Sequence, residues 1–155
     1  GGPQERLDLA KRMHVGTDWL DIFTETDPVA RLRWVMERTP SGRGADVVLE
    51  CTGVPTAVQE GMDAARRNGK MLVLGQYTDR GTTPINPHVI TKKQLTMIGS
   101  WAFSERHYLG YMANLPAMQE RFGLDPMITR YRLEDVNAAM ADMAAGKVMK
   151  PVLVM

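Results

Sequence analysis

Residues 44–53, GADVVLECTG, decide the fold class of this chain. Residues 47–49 are an apolar run that predicts a buried core strand, and the apolar run at 70–77 resembles a strand buried on both faces of a parallel sheet. The run ends in a carboxylate, a thiol, a hydroxyl and a glycine, which a pure core strand does not need. The carboxyl ends of parallel strands are where α/β sheets bind ligands. The stretch therefore predicts a core strand whose tip faces a ligand.

Helical and extended patterns alternate through the first hundred residues. Apolar spacing and end signals predict helices over 4–14, from the Asp27 cap and Pro28 onward, over 55–67 and, as one or two turns, over 88–93. Strands are predicted over 18–23, 46–51, 70–77 and 95–101, separated by turns such as PSGRG at 40–44. This alternation is typical of a parallel sheet with crossover helices, so the predicted class is α/β.

The pattern changes after Trp101. A helix is predicted over 104–121, and Pro116 should bend or split it. A short strand over 127–132, a helix over 133–145 and a closing strand over 148–155 follow. Pro151 in the last strand indicates an edge or the first paired position, since proline cannot donate to a ladder.

Composition excludes several function classes. The net charge of +1 gives no argument for nucleic acid or for an anionic membrane. No apolar run approaches the roughly 20 residues of a membrane helix. A single cysteine rules out an intrachain disulfide and favours a reducing compartment, hence a cytoplasmic location. The start at Gly1 instead of Met is expected of a piece of a longer chain.

The usual catalytic and phosphate-binding motifs are absent from the sequence. It contains neither GxGxxG nor GxxxxGK[ST], and its three histidines are isolated from each other. A metal site within the chain is therefore not predicted. Cys51 is expected to be a buried, inert side chain at the strand end and not a nucleophile.

Three strand tips carry the remaining functional signal: Cys51-Thr52-Gly53, Leu74-Gly75-Gln76 and Gly99-Ser100-Trp101. In a parallel sheet the tips lie along one edge, and a glycine lets a ligand approach the backbone. A flat ring could then bind main-chain groups along that row. Each glycine alone is better explained as a turn glycine, but three successive tips together indicate a nucleotide-binding crevice.

These segments, in their order, resemble a known family. The stretches GGPQERLDLAKR, GADVVLECTG, NGKMLVLGQY and TKKQLTMIGSW precede a tail that reads FGLDPMITRYRLEDVNAAMADMAAGKVMKPVLVM. The whole chain is similar to the C-terminal half of the medium-chain, zinc-dependent alcohol dehydrogenases, in the branch of threonine and sorbitol dehydrogenases. The tail is the most specific part of the match.

The resemblance implies a partial Rossmann domain over 1–101 that lacks its first strand. It also implies a segment over 102–155 that returns to complete a catalytic domain. Zinc and the catalytic residues would belong to a missing N-terminal half, so no catalytic or metal residue is assigned in this chain. The residues implied to bind the cofactor are Arg6, Thr52, Gly53, Val54, Leu74, Gly75, Gln76, Ser100, Trp101 and Lys150. With glycines at positions 1 and 2, where the family's ribose-binding acid should stand, the choice between NAD and NADP stays open.

The implied function is that of a fragment of an oxidoreductase that transfers a hydride between a small-molecule alcohol and NAD(P), inactive by itself. One alternative is a non-catalytic module that binds a nucleotide or dimerises through an unpaired sheet edge. The other is a zinc-free relative of the quinone oxidoreductases. The family also implies a homo-oligomer joined at the sheet edge, burying Leu95, Met97 and Ile98. Glu50 and Cys51 are expected only to shape their turn.

Overall fold

The computed structural model describes all 155 residues. The helices are α1 (Gln4–Arg12), α2 (Pro28–Glu37), α3 (Thr56–Ala64), α4 (Pro87–Lys93), α5 (Glu105–Phe122) and α6 (Val136–Ala144). The strands are β1 (Ala45–Glu50), β2 (Ala65–Val73), β3 (Thr96–Gly99), β4 (Ile128–Arg132) and β5 (Lys150–Val154). None of the helices combines the length and the apolar character that crossing a membrane requires.

The chain forms two compact units, Asp27–Ser104 and Gly1–Thr26 with Glu105–Met155. The boundary predicted at Trp101 concerns the domains of the complete family fold and stays a prediction. Each unit has its own parallel sheet, so the predicted α/β class is confirmed.

The Asp27–Ser104 unit contains a three-stranded parallel sheet in the order β1-β2-β3. Its register places Leu49 beside Leu72 and Leu72 beside Ile98. The α2 helix that precedes the sheet begins as predicted, because the Asp27 side chain accepts a hydrogen bond of 3.0 Å from the Val29 N–H. Strands and crossover helices therefore alternate as the sequence pattern indicates.

The core of this unit lies between α3 and one face of the sheet. Met62 on α3 and Met71 on β2 are fully buried. Gly61 lets Met71 pack closely against α3, since a Cβ atom there would lie 2.7 Å from Met71 Cε. A methionine side chain that fills the space against a glycine is a tight, apolar arrangement that fixes the position of the helix on the strands.

The opposite face of the sheet is uncovered, which corrects the prediction that residues 47–49 form a buried core strand. Val47 is 56% exposed, Leu49 59% and Ile98 49%. Right-handed crossovers that progress in one direction place their helices on the same face of a sheet. The second face of β1–β3 consequently has no crossover helix of its own unit to cover it.

Two predicted elements are wrong in their extent or type. Residues 18–23 do not form a strand: 18–21 are irregular, and 22–24 form a turn in which Asp21 accepts a hydrogen bond of 2.9 Å from the Phe23 N–H. The helix predicted over 55–67 ends at Ala64, and β2 begins at Ala65. There the Lys93 ammonium donates to the carbonyls of Met62, Asp63 and Ala65 at 3.1, 2.7 and 2.7 Å, satisfying the groups at the helix end.

The other unit pairs β4 with β5 in parallel, with Ile128 beside Lys150. Each strand of a two-stranded sheet is an edge, so the edge position indicated by Pro151 is confirmed. The α5 helix includes Pro116 within its span and is not split there. Leu9, Met13 and Ala139 are the buried apolar residues of this unit.

Candidate functional site

The three predicted strand tips lie along one edge of the sheet. Glu50 is paired with Val73, and Val73 is paired with Gly99, so β1, β2 and β3 reach their carboxyl ends in register. The structure thus brings together eight of the predicted cofactor residues on the loops that follow: Thr52, Gly53, Val54, Leu74, Gly75, Gln76, Ser100 and Trp101. We call these residues the tip row.

The remaining two predicted residues lie in the other unit. Arg6 is exposed on α1, and Lys150 is exposed at the start of β5. Their assignment to the cofactor stays a prediction that rests on the resemblance alone.

Glu50 is the organising residue of the tip row. Its side chain is at the end of β1 on the face covered by α3, and the residue is only 4% exposed. One carboxylate oxygen, Oε1, accepts hydrogen bonds from the Thr52 N–H at 2.7 Å, the Thr52 hydroxyl at 2.6 Å and the Gly53 N–H at 3.0 Å. The other, Oε2, accepts from the Gln76 amide at 3.2 Å. The carboxylate therefore folds the first tip and ties it to the second, as expected of a residue that shapes the turn.

The hydrogen bonds also keep Glu50 ionised. Burial of the carboxyl raises its pKa, but the hydrogen bonds from Thr52, Gly53 and Gln76 outweigh that effect and hold the pKa of Glu50 below its ordinary value of 4.5. A buried carboxylate is tolerated when N–H and O–H donors surround the charged form in this way. The negative charge at this edge is consequently solvated by the protein's own uncharged donors.

Two glycines let the first and second tips touch. Gly53 has a φ of +69°, and a Cβ atom there would lie 2.6 Å from the Gly75 carbonyl oxygen. A Cβ atom on Gly75 would lie 2.6 Å from the Thr52 nitrogen and 2.7 Å from the Cys51 carbonyl carbon. Gly99, in contrast, has no atom within 4 Å of such a Cβ. Gly53 and Gly75 are therefore required by close backbone approach, whereas Gly99 is not.

The backbone N–H groups of the tip row are already used within the protein. Those of Thr52 and Gly53 donate to the Glu50 carboxylate, and those of Leu74 and Gly75 donate to the Glu50 carbonyl at 2.9 and 3.0 Å. The Val54 N–H donates to the Thr52 hydroxyl at 3.1 Å, and the Ser100 N–H to the Val73 carbonyl at 3.1 Å. The carbonyl oxygens of Thr52, Leu74 and Gly75 accept none of the protein's hydrogen bonds.

This asymmetry makes the tip row an edge of hydrogen-bond acceptors. Such an edge suits a ligand group that carries N–H donors, for example a carboxamide or an aromatic amine. It does not suit a phosphate, which needs donors.

A cavity of about 380 Å³ adjoins the tip row. A larger cavity of about 510 Å³ in the same unit lies away from the tip row. The smaller cavity is lined by Gln76, the loop 77–81 and Trp101. Tyr77 and Trp101 are 67% and 74% exposed, so two aromatic faces are available beside the acceptor carbonyls. The sequence analysis did not single out Tyr77, although an aromatic side chain directly after a strand-tip glycine and amide was the available signal.

Cys51 is exposed, contrary to the prediction that it would be buried. Side chains alternate along a strand, so Cys51 points away from the buried side of Glu50 toward the uncovered sheet face. Partial desolvation of the thiol is the larger cause, and the nearby Glu50 charge the smaller, of a raised pKa of Cys51. A thiol with a raised pKa is a poor nucleophile, so we assign Cys51 no catalytic role.

No three His, Cys, Asp or Glu side chains of this chain lie close enough to hold a metal ion. The residues present therefore do not fit a zinc site, and no zinc-dependent step is derived from them.

Comparison with known proteins agrees with this architecture. Residues 2–117 match the family described as zinc-binding dehydrogenase. The chain is 32% identical over 149 residues to 5-exo-hydroxycamphor dehydrogenase of Pseudomonas putida, covering 96% of this chain and 40% of that protein. It is 35% identical over 154 residues to L-threonine 3-dehydrogenase of Symbiobacterium thermophilum, covering 96% and 41%.

A solved structure shares the fold along nearly the whole chain. The alcohol dehydrogenase of Thermotoga maritima superimposes with a TM-score of 0.83 at 29% identity, covering 98% of this chain and 41% of that one. The chain thus spans about 40% of the length of the curated relatives it matches. The family match over residues 2–117 and the similarity to these dehydrogenases confirm the resemblance to the alcohol dehydrogenases seen in the sequence. The chain belongs to the zinc-binding dehydrogenase family.

Proposed function

We propose that this chain forms the cofactor-binding part of an oxidoreductase that transfers a hydride between an alcohol and NAD or NADP. The observation that carries the proposal is the tip row, where three parallel strands end in register and present unpaired carbonyl oxygens beside exposed aromatic rings. The relatives by sequence and structure are dehydrogenases of alcohols, which supports the same reaction class.

The bound dinucleotide would supply the hydride acceptor, and this chain would position it. The Thr52, Leu74 and Gly75 carbonyls would accept hydrogen bonds from amide or amino groups of the cofactor rings. Val54 and Leu74 are 45% and 37% exposed and would provide apolar contact with the ring faces. Ser100 and Trp101 would border the nicotinamide end, next to the 380 Å³ cavity.

Glu50 acts only through these residues. By accepting from Thr52, Gly53 and Gln76 it holds the two tips in place and consumes the donors that a phosphate would otherwise bind. By the family resemblance alone, we assign Arg6 to the adenosine side of the cofactor and Lys150 to the pyrophosphate, whose charge a cation offsets. We assign zinc, if used, to residues outside this sequence, because this chain has no cluster that fits it.

The proposal is tested by reading the coding DNA upstream of Gly1. We expect an in-frame continuation through a glycine-rich βαβ unit and a set of Cys, His and Glu ligands. The complete reading frame should then reduce NAD or NADP when supplied with secondary and cyclic alcohols. A start codon directly upstream, or an upstream segment without these features, would contradict it. A glycine-rich unit without the ligand set would favour the zinc-free, quinone-oxidoreductase-like alternative.

A second proposal concerns self-association at the sheet edge. We propose that two copies pair through β3, which is an edge strand of its sheet. Leu95 and Met97 are half-buried there, and Ile98 is 49% exposed. An unprotected, apolar edge strand readily pairs with a second copy. Sedimentation should give a dimer for the unaltered chain and a monomer for Met97→Asp, and an unchanged mass in that variant would contradict this interface.

The single, unpaired cysteine further supports placing the protein in a reducing compartment such as the cytoplasm.

A further inference from the structure

A second cavity lies at the end of the sheet opposite to the tip row. It has a volume of 520 Å³ and is lined by Met36, Gly42 and five basic residues, Arg43, Arg66, Arg67, Lys92 and Lys93. Arg43 precedes β1, Arg66 and Arg67 stand near the start of β2, and the two lysines end α4 before β3. The strands between this cavity and the tip row are four to nine residues long. At about 3.3 Å per residue they separate the two sites by well over 10 Å.

Part of the positive charge at the cavity is engaged in internal contacts. Asp46 forms an ion pair with Arg66 and lies 3.6 Å from Arg43, and Arg66 also donates to the Arg67 carbonyl at 2.5 Å. Lys93 donates to three carbonyls at the end of α3. These contacts fix the directions of the two arginines and neutralise the negative end of the α3 dipole, which would otherwise repel an anion.

The remaining positive charge has no partner within the protein. The side chains of Arg67 and Lys92 form no hydrogen bond or ion pair with any protein group. Asp46 pairs with Arg66 and Arg43, and the charge of Asp63 acts on Lys93, so two acids face five cations and the cavity keeps an excess of positive charge. Arginine forks and lysine ammonium groups that converge on one cavity are the donors that proteins use to bind phosphate oxygens.

We propose that this basic cavity binds a small phosphorylated anion carrying at least two negative charges. Its volume lies within the range of small-molecule sites, about 300 to 1,000 Å³, and exceeds what a single phosphate needs. Arg67 and Lys92 would bind the phosphate oxygens directly, and Arg43 and Arg66 would add charge from fixed positions. The site is separate from the tip row and does not rest on the proposed dehydrogenase function.

The test uses inorganic pyrophosphate as the probe and isothermal titration of the chain in a dilute buffer free of phosphate. We expect saturable binding of one pyrophosphate per chain that weakens as salt is added. The double substitution Arg67→Gln/Lys92→Gln should weaken binding at least tenfold. Lys70→Gln/Arg130→Gln removes the same two charges from exposed positions outside the cavity and should change the affinity less than twofold.

A third variant works in the opposite direction. Asp46→Asn removes the acid that pairs with Arg66 and Arg43 and should strengthen pyrophosphate binding severalfold. This variant decides the question even if the double substitution prevents folding, because a gain in affinity requires a folded site.

Three results would overturn the proposal. One is the absence of saturable binding, and another is an equal loss in both double variants, which would show nonspecific attraction only. The third is tighter binding of duplex nucleic acid than of pyrophosphate through the same residues. Titration with NADH distinguishes this site from the tip row, because the Arg67→Gln/Lys92→Gln variant should leave binding at the tip row intact.

Discussion

Replacing Glu50 tests the claim that one buried carboxylate builds the tip row. Glu50→Ala removes the acceptor of four hydrogen bonds, from the Thr52 N–H and hydroxyl, the Gly53 N–H and the Gln76 amide. Glu50→Gln keeps the shape of the side chain and one carbonyl acceptor. Comparison of the two variants separates the effect of the acceptor from that of the charge.

The expected magnitude follows from the surroundings of each donor. The Gly53 N–H is buried and would be left unpaired in the alanine variant, at about 1 to 3 kcal/mol. The Thr52 and Gln76 donors are partly exposed and would recover bonds with water, so we assign them about 0.5 kcal/mol each. We therefore expect Glu50→Ala to lower the free energy of unfolding by about 3 kcal/mol, and Glu50→Gln by about 1 kcal/mol.

Urea unfolding followed by circular dichroism and tryptophan fluorescence measures these differences. Glu37→Ala is a suitable control, since it removes an exposed carboxylate at the end of α2 and should change stability by less than about 0.5 kcal/mol. A loss below about 1 kcal/mol in Glu50→Ala would refute the role assigned to Glu50.

The pH dependence provides an independent check on the same residue. The pKa of Glu50 is lowered in the folded chain, so its ionised form stabilises folding above the ordinary value of 4.5. That contribution should be lost as the pH falls through the folded-state pKa. The stability difference between the unaltered chain and Glu50→Gln should consequently shrink in acid. A difference that is constant from neutral pH to about pH 3 would contradict the linkage.

Three further predictions concern packing, an ion pair and a titration. Gly75→Ala should lower the free energy of unfolding in urea by more than about 3 kcal/mol, because the new Cβ atom would meet the backbone of Cys51 and Thr52. Gly99→Ala should be nearly neutral, because a Cβ atom there has no neighbour within 4 Å. Equal effects of the two substitutions would refute the close approach of the tips. Arg31 donates two hydrogen bonds of 2.7 Å to the Glu60 carboxylate, and the two side chains are 17% and 34% exposed. A double-mutant cycle should give a coupling energy of about 1 kcal/mol. A coupling energy of zero would show that the pair does not join α2 to α3. The hydrogen bond of 2.9 Å from the Tyr131 hydroxyl to Asp142, together with partial desolvation, raises the pKa of Tyr131. Asp142→Asn should therefore lower the pKa of Tyr131 in an ultraviolet titration. An unchanged titration curve would contradict the contact.

The elements that the sequence predicts well are those set by short-range signals. The Asp27 cap with Pro28 places the start of α2, and the apolar runs place β1, β2 and β3 in one parallel sheet. The alignment of the three tips then follows from parallel topology alone. The sequence alone therefore predicts where the tip row lies.

What the sequence could not supply depends on contacts made at long range. Residues 18–23 have the composition of a strand, but Asp21 captures the local backbone and the segment joins no sheet. The start of β2 is set by Lys93, which lies about thirty residues further along the chain. The exposure of Val47, Leu49 and Cys51 depends on what covers the second face of the sheet, which is not encoded in the strand itself.

The polarity of the tip row also could not be read from the sequence. The sequence predicted main-chain groups that bind a flat ring, without indicating donors or acceptors. Only the bonds to Glu50 show that the N–H groups of Thr52 and Gly53 are consumed and that carbonyl oxygens remain. A carboxylate two residues before a threonine was the signal for that turn.

Mapping NADH onto the chain by NMR tests the central claim most directly. At 17.3 kDa the protein is small enough for backbone amide spectra of the isotope-labelled chain. We predict that added NADH shifts the amide signals of residues 51–54, 74–77 and 100–101, and that the Arg67→Gln/Lys92→Gln variant keeps these shifts. Signals that do not move at millimolar NADH, or that move only away from the tip row, would contradict the assignment of the cofactor to this edge of the sheet.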